Sequence, residues 1–414
     1  MKKKLLVLGG KPIGSVEIVK RAKQLGFYTI VTDYLPANLS PAKGYADETW
    51  NISTADIDTL VDKCKKEGVG AVTTGVHEFN INRMLELTGA LHLPCYCLSS
   101  TWVYCDDKLK FKDLCQQNSL PVAQQYELEK IVNADFPLIT KPVDGSGSRG
   151  FHICNNEVEL YEAYQDAKLH SPSQRVLIED FIPYNAVIIH YTMIAGKCFY
   201  SGMSDKLSVK FASTGASVMG IQTFPSKGES VYLQTLNKKV CLMFENAGFT
   251  DGPIWIEAFF DGIDKFVFNE MGYRFGGSLT YYPVRYFYGI DQLDLYLNAS
   301  LGRTSLCRCE RQKVSKKYCI LPLHIQAGNI VQIKGIEQLQ KNENYYAMAQ
   351  VHFIGDEIQN WGSAQQVFCY LHLLYDDINE LRTTVHLILQ YLQVLDADGN
   401  NLLFTLFNID DLHE

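Results

Sequence analysis

Glu257 follows the apolar run Ile254-Trp255-Ile256, and Glu270 follows Phe266-Val267-Phe268-Asn269. A carboxylate in such surroundings is costly to desolvate unless a cation meets it. Asp261-Gly262-Ile263-Asp264 between the runs reads as a hairpin turn, which sets the two glutamates on adjacent antiparallel strands. There they can converge on one face and suit Mg2+, a hard cation that prefers oxygen ligands. An ion pair with Arg274 or Lys141 is the competing reading. Arg274, in Glu270-Met271-Gly272-Tyr273-Arg274-Phe275-Gly276-Gly277, is placed to stabilise negative charge on a transferring phosphoryl group or a tetrahedral oxygen.

A second cluster lies upstream, in Ile139-Thr140-Lys141-Pro142-Val143-Asp144-Gly145-Ser146-Gly147-Ser148-Arg149-Gly150. It reads as a strand ending in Lys141, a loop rich in glycine and serine, and a further strand. Lys108, behind Asp106-Asp107, adds a second cation at a helix start. A triphosphate needs cations and backbone N–H donors. Gly145, Ser146, Gly147, Ser148 and Gly150 can close over phosphates without obstructing side chains. The pattern G-x-x-x-x-G-K-[ST] occurs nowhere, which argues against a P-loop nucleotidase.

The elements that must position these groups are of two kinds. In the first hundred residues strand and helix patterns alternate: strands at 4–8, 28–32 and 71–74, helices at 13–26, 57–67 and 79–91. Such alternation specifies a parallel sheet with helices on both faces, with ligands at the carboxyl ends of the strands. Those ends carry Gly9, Gly10, Asp33, Gly75, His77 and Glu78. Gly9-Gly10-Lys11-Pro12-Ile13-Gly14 is not G-x-G-x-x-G, but a glycine turn feeding a helix still suits an anion. Asp33 reads equally as a ribose ligand or a strand cap. From about residue 106 short strands dominate, an α+β block with a mostly antiparallel sheet. Residues 204–217 read as a polar loop carrying Lys206 and Lys210. The last hundred residues show a capped helix at 377–393 and no catalytic motif.

Composition bounds the rest. The 414 residues are 47% hydrophobic and 20% charged, ordinary for a globular chain, and the net charge of −8 disfavours a nucleic-acid partner. No apolar run reaches membrane-spanning length, so no membrane is expected and the cytoplasm is the expected location. Twelve cysteines without a C-x-x-C pair indicate reduced thiols and no zinc site.

In order, Lys108, the Lys141 strand with its loop, Val176-Leu177-Ile178-Glu179-Asp180-Phe181-Ile182-Pro183 and the Glu257/Glu270 pair resemble the ATP-grasp superfamily. The likeness is to its branch of biotin carboxylase, carbamoyl-phosphate synthetase domains and carboxylate–amine ligases, and it covers nearly the whole chain. The fold class implied is α/β and α+β multidomain. A Rossmann-like pre-grasp domain would span 1–105, an ATP-grasp domain 106–304 with a lid at about 122–190, and a small C-terminal α+β domain 305–414. On this resemblance ATP and Mg2+ are the cofactors. Lys108 and Lys141 would meet the nucleotide phosphates, and residues 145–150 would form the phosphate lid. Glu179, Asp180, Phe181 and Ile182 would form the hinge at the adenine, largely through backbone atoms of Asp180 and Ile182. Glu257 and Glu270 would be metal ligands and Arg274 the catalytic arginine.

Two positions depart from the pattern. Ala186 stands where an acid commonly holds the ribose, and Gly272 where an asparagine commonly joins the metal. Strand alternation turns Asn269 to the opposite face from Glu270, so ATP oxygens and water are expected to complete the Mg2+ shell. The resemblance implies phosphorylation of a carboxylate by ATP and attack on the acyl phosphate by an amine or thiol, releasing ADP and phosphate. Bicarbonate stays open as the carboxylate, and a biotin carrier stretch is absent. Gly10, His77, Glu78, Arg274 and Arg285 are nominated for the acceptor pocket, and a homodimer is left open. The alternatives are an NAD-dependent oxidoreductase, from the first hundred residues alone, or an inactive ATP-binding regulatory relative.

Overall fold

The structure, a computed structural model, describes residues 2–131, 136–144, 149–303 and 310–413. Gly145, Ser146, Gly147 and Ser148 therefore lie outside the described residues. The chain opens with β1 (Lys4–Leu8), α1 (Ser15–Gln24), β2 (Tyr28–Thr32), β3 (Glu48–Trp50), α2 (Ile57–Glu67), β4 (Val69–Thr74) and α3 (Glu78–Leu91). The four strands form one parallel sheet in the order β3-β2-β1-β4. Leu5, Leu6, Val7 and Leu8 are fully buried because helices cover both faces, which explains their unbroken apolar run. Gly14, in the left-handed region at φ 88°, turns the β1 loop into α1.

Helices α4 (Ser99–Asp106) and α5 (Lys108–Gln117) lead into β5 (Gln125–Tyr126), β6 (Leu138–Pro142), β7 (His152–Cys154), α6 (Glu157–Leu169) and β8 (Val176–Asp180). These strands make a small antiparallel sheet, ordered β5-β8-β6-β7. Next come β9 (Asn185–Ile194), β10 (Lys197–Lys210), β11 (Ser217–Phe224), α7 (Glu229–Thr235), α8 (Asn237–Asn246), β12 (Gly252–Phe260), β13 (Phe266–Gly272), α9 (Tyr281–Tyr288), α10 (Gln292–Ala299) and β14 (Lys317–Ile325).

A large antiparallel sheet runs β13-β12-β9-β10-β11-β14 and continues into the strands Val367–Tyr375 and Tyr345–Gln350. It crosses the expected boundary at 304/305. It also takes β9, which sequence reasoning placed partly in the lid at 122–190. The expected polar loop at 204–217 is mostly strand: β10 continues to Lys210, and only 211–216 turn into β11. Polar residues persist there because one face of β10 looks into the site rather than a core.

The two main sheets are joined by tyrosines. The Tyr96 hydroxyl donates to the Tyr273 carbonyl at 2.8 Å, and the Tyr296 hydroxyl donates to the Thr74 carbonyl at 2.9 Å. The Tyr96 and Tyr296 rings pack with centroids 4.7 Å apart, which ties the carboxyl end of β4 to the end of β13. No helix among the described residues is long and apolar enough to cross a membrane.

Candidate active site

The centre is a ladder of charges spanning the small and large sheets. Lys112, on the buried face of α5, and Lys141, near the end of β6, each lie 2.6 Å from a different oxygen of Glu179 on β8. Lys112 and Glu179 are 0% and 2% exposed. The two form a buried ion pair. Burial alone would raise the Glu179 carboxyl, but Lys141 and Lys112 outweigh it and hold it below the usual range. Burial also pulls the Lys112 ammonium below its ordinary value.

From Lys141 the ladder crosses to the large sheet. The Lys141 Nζ donates to Asn269 Oδ1 at 2.7 Å, and Asn269 Nδ2 donates to Glu257 Oε1 at 2.9 Å. Lys206 Nζ donates to Glu257 Oε2 at 2.6 Å. Burial would raise the Glu257 carboxyl and lower the Lys206 ammonium, but the pair's attraction reverses both shifts, so both groups stay charged. Glu270 lies directly across from Glu257 in the β12–β13 register.

Asn269 corrects the sequence reading. Glu257 pairs with Glu270, but Ala258 pairs with Phe268, so Asn269 is the extra residue of a β-bulge. A bulge breaks the period of two, and the Asn269 side chain turns toward Glu257 instead of away from it. Gly272 also acquires a reason. It faces Trp255 across the strands, and a Cβ there would meet the indole at 2.4 Å. An asparagine cannot stand at 272 beneath that ring, and the amide beside Glu257 is that of Asn269.

The paired carboxylates of Glu257 and Glu270 suit Mg2+, and Asn269, whose oxygen accepts from Lys141, orients Glu257 through its Nδ2. Among the described residues no group of three or more His, Cys, Asp or Glu could hold a metal by itself. A cation here thus needs oxygens brought by a nucleotide or by water.

Arg274 follows β13. Its Nη2 donates to Glu78 Oε1 at 2.7 Å, its Nη1 to the Phe275 carbonyl at 3.0 Å, and its guanidinium lies 5.2 Å from the Trp255 ring centre. Its Nε is buried with no hydrogen-bond partner among the described residues. Glu78 opens α3, where its charge meets the helix dipole. His77 precedes it, and burial holds its imidazole below the ordinary value. Asp106 is pushed up mainly by burial, with Glu78 and Asp144 adding to the shift.

The remaining nominated residues divide. The Gly10 N–H donates to Asp33 Oδ2 at 2.7 Å, and a Cβ at Gly10 would lie 2.2 Å from Ser40 Oγ. Asp33 also accepts from Ser40 and the Leu35 N–H and pairs with Lys43 at 2.9 Å. Its oxygens are consumed, so it is neither a ribose ligand nor support for a dinucleotide reading. Lys11, in the same loop, reaches Asp356 in the last hundred residues at 3.2 Å. Arg285 pairs with Asp291 at 2.9 Å near the end of α9, apart from the ladder. Lys108 opens α5, where its N–H meets the Val143 carbonyl at 3.1 Å. The Asp180 N–H donates to the Gln124 carbonyl and the Phe181 N–H to the Pro137 carbonyl, so those two amides serve the small sheet. The Glu179 side chain faces its lysines. Gly150, at φ 69°, packs against Ala167 and His170. Ala186 lies opposite Lys206 in register, with no carboxylate there.

A parallel α/β sheet, a small antiparallel sheet and a large antiparallel sheet around a lysine–glutamate centre are the ATP-grasp fold. The biotin carboxylase domain of 2-oxoglutarate carboxylase from Hydrogenobacter thermophilus, solved with MgADP and bicarbonate, matches with a TM-score of 0.74 at 16% identity. It covers 95% of this chain and 91% of that one. The L-amino acid ligase from Bacillus licheniformis matches with a TM-score of 0.74 at 20% identity, covering 95% and 99%. In sequence, a formate-dependent phosphoribosylglycinamide formyltransferase of Prochlorococcus marinus (strain MIT 9515) is 28% identical over 197 residues, 45% of this chain and 49% of the relative. The chain thus spans about half the length of such relatives. No family model matches the chain.

Proposed function

We propose that the chain is an ATP-dependent carboxylate–amine ligase: ATP phosphorylates a carboxylate, an amine attacks the acyl phosphate, and ADP and phosphate leave. The observation that carries this reading is the ladder. In it Lys141 lies beside Asn269 and Glu257, which supports one crevice for a phosphate-binding charge and metal-binding carboxylates. ATP would lie between the small and large sheets, with Lys108, Lys141 and residues 145–150 at its phosphates and the 179–182 segment at its base. Glu257 and Glu270, with Asn269 orienting Glu257, would hold Mg2+, which would supply neutralisation of phosphate charge. Arg274, with one N–H unspent and Glu78 fixing its plane, would meet charge developing on the reacting oxygens. His77 and Glu78 line the acceptor side, beside the Lys11 loop, with Gly10 close-packed beneath. The L-amino acid ligase neighbour supports an amine nucleophile.

A phosphate-release screen with Mg·ATP over amino acids, hydroxy acids, amines and thiols tests the reading. Release that requires both a carboxylate and an amine is expected, and the Glu270→Gln variant, still folded, should lose it by roughly 10²–10³-fold. Near-normal turnover in that variant would remove the metal assignment.

A further inference from the structure

We propose that Lys206 is a built-in counter-ion of Glu257, and that a divalent cation arriving with the nucleotide takes Glu257 by displacing it. The proposal rests on the function proposed above and concerns how that same site is held while it is empty of metal. Both oxygens of Glu257 are engaged, Oε1 by Asn269 Nδ2 at 2.9 Å and Oε2 by Lys206 Nζ at 2.6 Å. Each oxygen keeps a further lone pair, but a metal bound at Oε2 would share that oxygen with the Lys206 ammonium.

The two contacts differ in what holds them. The Asn269 amide is fixed at both ends, because its oxygen accepts from Lys141 at 2.7 Å, and Lys141 is in turn paired with buried Glu179. Lys206 stands on a four-carbon stem, its side chain is 26% exposed, and among the described residues a single ion pair anchors its head. The lysine contact is the one that yields.

Charge accounting points the same way. Glu179, Glu257 and Glu270 face Lys112, Lys141 and Lys206, three charges of each sign. The metal-free centre is thus neutral by itself, which is how partly buried carboxylates persist without an ion. A dication added beside Glu257 repels the ammonium across the same oxygen, so the two cations compete for one carboxylate. The released ammonium stays within electrostatic reach of Glu270.

Mn2+ titration of the full chain at saturating ADP, followed by electron paramagnetic resonance, tests the competition in wild type and Lys206→Met. Removing the competitor should tighten Mn2+ binding by about ten-fold. In parallel, the metal-free variant should unfold at lower temperature than wild type and regain more stability from Mn·ADP. Equal or weaker Mn2+ binding in the variant overturns the proposal and makes Lys206 a nucleotide ligand or a structural ion pair. If neither protein binds Mn2+ with ADP, the proposed function falls and this inference with it. Should the methionine variant not fold, Lys206→Gln is titrated instead, with the same expectations.

Discussion

The Asp33–Lys43 pair in the parallel sheet and the Glu257–Lys206 pair in the large sheet have nearly the same contact distance, 2.9 and 2.6 Å, but opposite surroundings. Asp33 and Lys43 are 7% and 1% exposed, and every polar atom is answered: the carboxylate by Gly10, Ser40 and Leu35, the ammonium by the Asp33 and Leu35 carbonyls and by Asn51. Glu257 and Lys206 are 13% and 26% exposed, and a further carboxylate, Glu270, faces them across the register. A closed pair of the first kind holds a loop in shape. A pair left open on one side, with an extra charge beside it, can exchange a partner. The contrast separates architecture from site where residue type alone does not, since both pairs are a lysine and an acid.

Asp33→Asn should break the closed pair with the largest effect. It leaves Lys43 without its buried counter-charge and should cost about 3 kcal/mol of stability, read from denaturant midpoints. Turnover by the folded fraction should stay unchanged, and a specific loss of turnover would move Asp33 into the site. Asn269→Ala sharpens the other side. It should leave the unfolding midpoint nearly unchanged yet weaken Mn2+ binding with ADP by roughly 10–100-fold, as loss of a ligand-orienting amide does.

The smallest effect concerns buried groups that answer to pH through folding. Burial holds the His190 and His372 imidazoles down at about 3 and His324 at about 4. Unfolded, each titrates near ~6.5, so the unfolded chain binds more protons below that pH. Their stabilisation is present above pH ~6.5 and falls as pH drops toward ~4, by roughly 1.4 kcal/mol per pH unit for each group. His372 also ties the Tyr318 hydroxyl to the Ser278 carbonyl, in the loop that follows Arg274. His372→Gln should flatten the acid slope by about one proton's worth, measured by urea unfolding across that range. An unaltered slope would mean that His372 is not buried in its neutral form.

The parallel sheet could be read from sequence because its signals are local. The runs 4–8 and 28–32 and the helix 57–67 appear as expected, each an apolar pattern closed by a glycine or an acid. The carboxylate pair could be read for the same reason, as two apolar runs around a turn. Asn269 was assigned to the wrong face because a bulge is a property of two strands together, and one strand's alternation does not reveal it. Lys206 was hidden in what resembled a polar loop, since a strand facing a charged crevice loses the apolar alternation that marks strands. Lys112 carried no signal at all: a lysine on a helix reads as solvated, and only the fold shows it buried against Glu179. The long sheet beyond β11 rests on pairings between residues about a hundred positions apart, which local pattern does not specify.

The central claim is that one crevice, between the sheet bearing Lys141 and the hairpin bearing Glu257 and Glu270, receives Mg·ATP. A crystal structure of the full chain with Mg2+ and a non-hydrolysable ATP analogue tests it most directly. The account predicts phosphates beside Lys141, the metal on Glu257 and Glu270, and Lys206 moved off Glu257. A nucleotide bound elsewhere, with the Lys206–Glu257 contact intact, would contradict it.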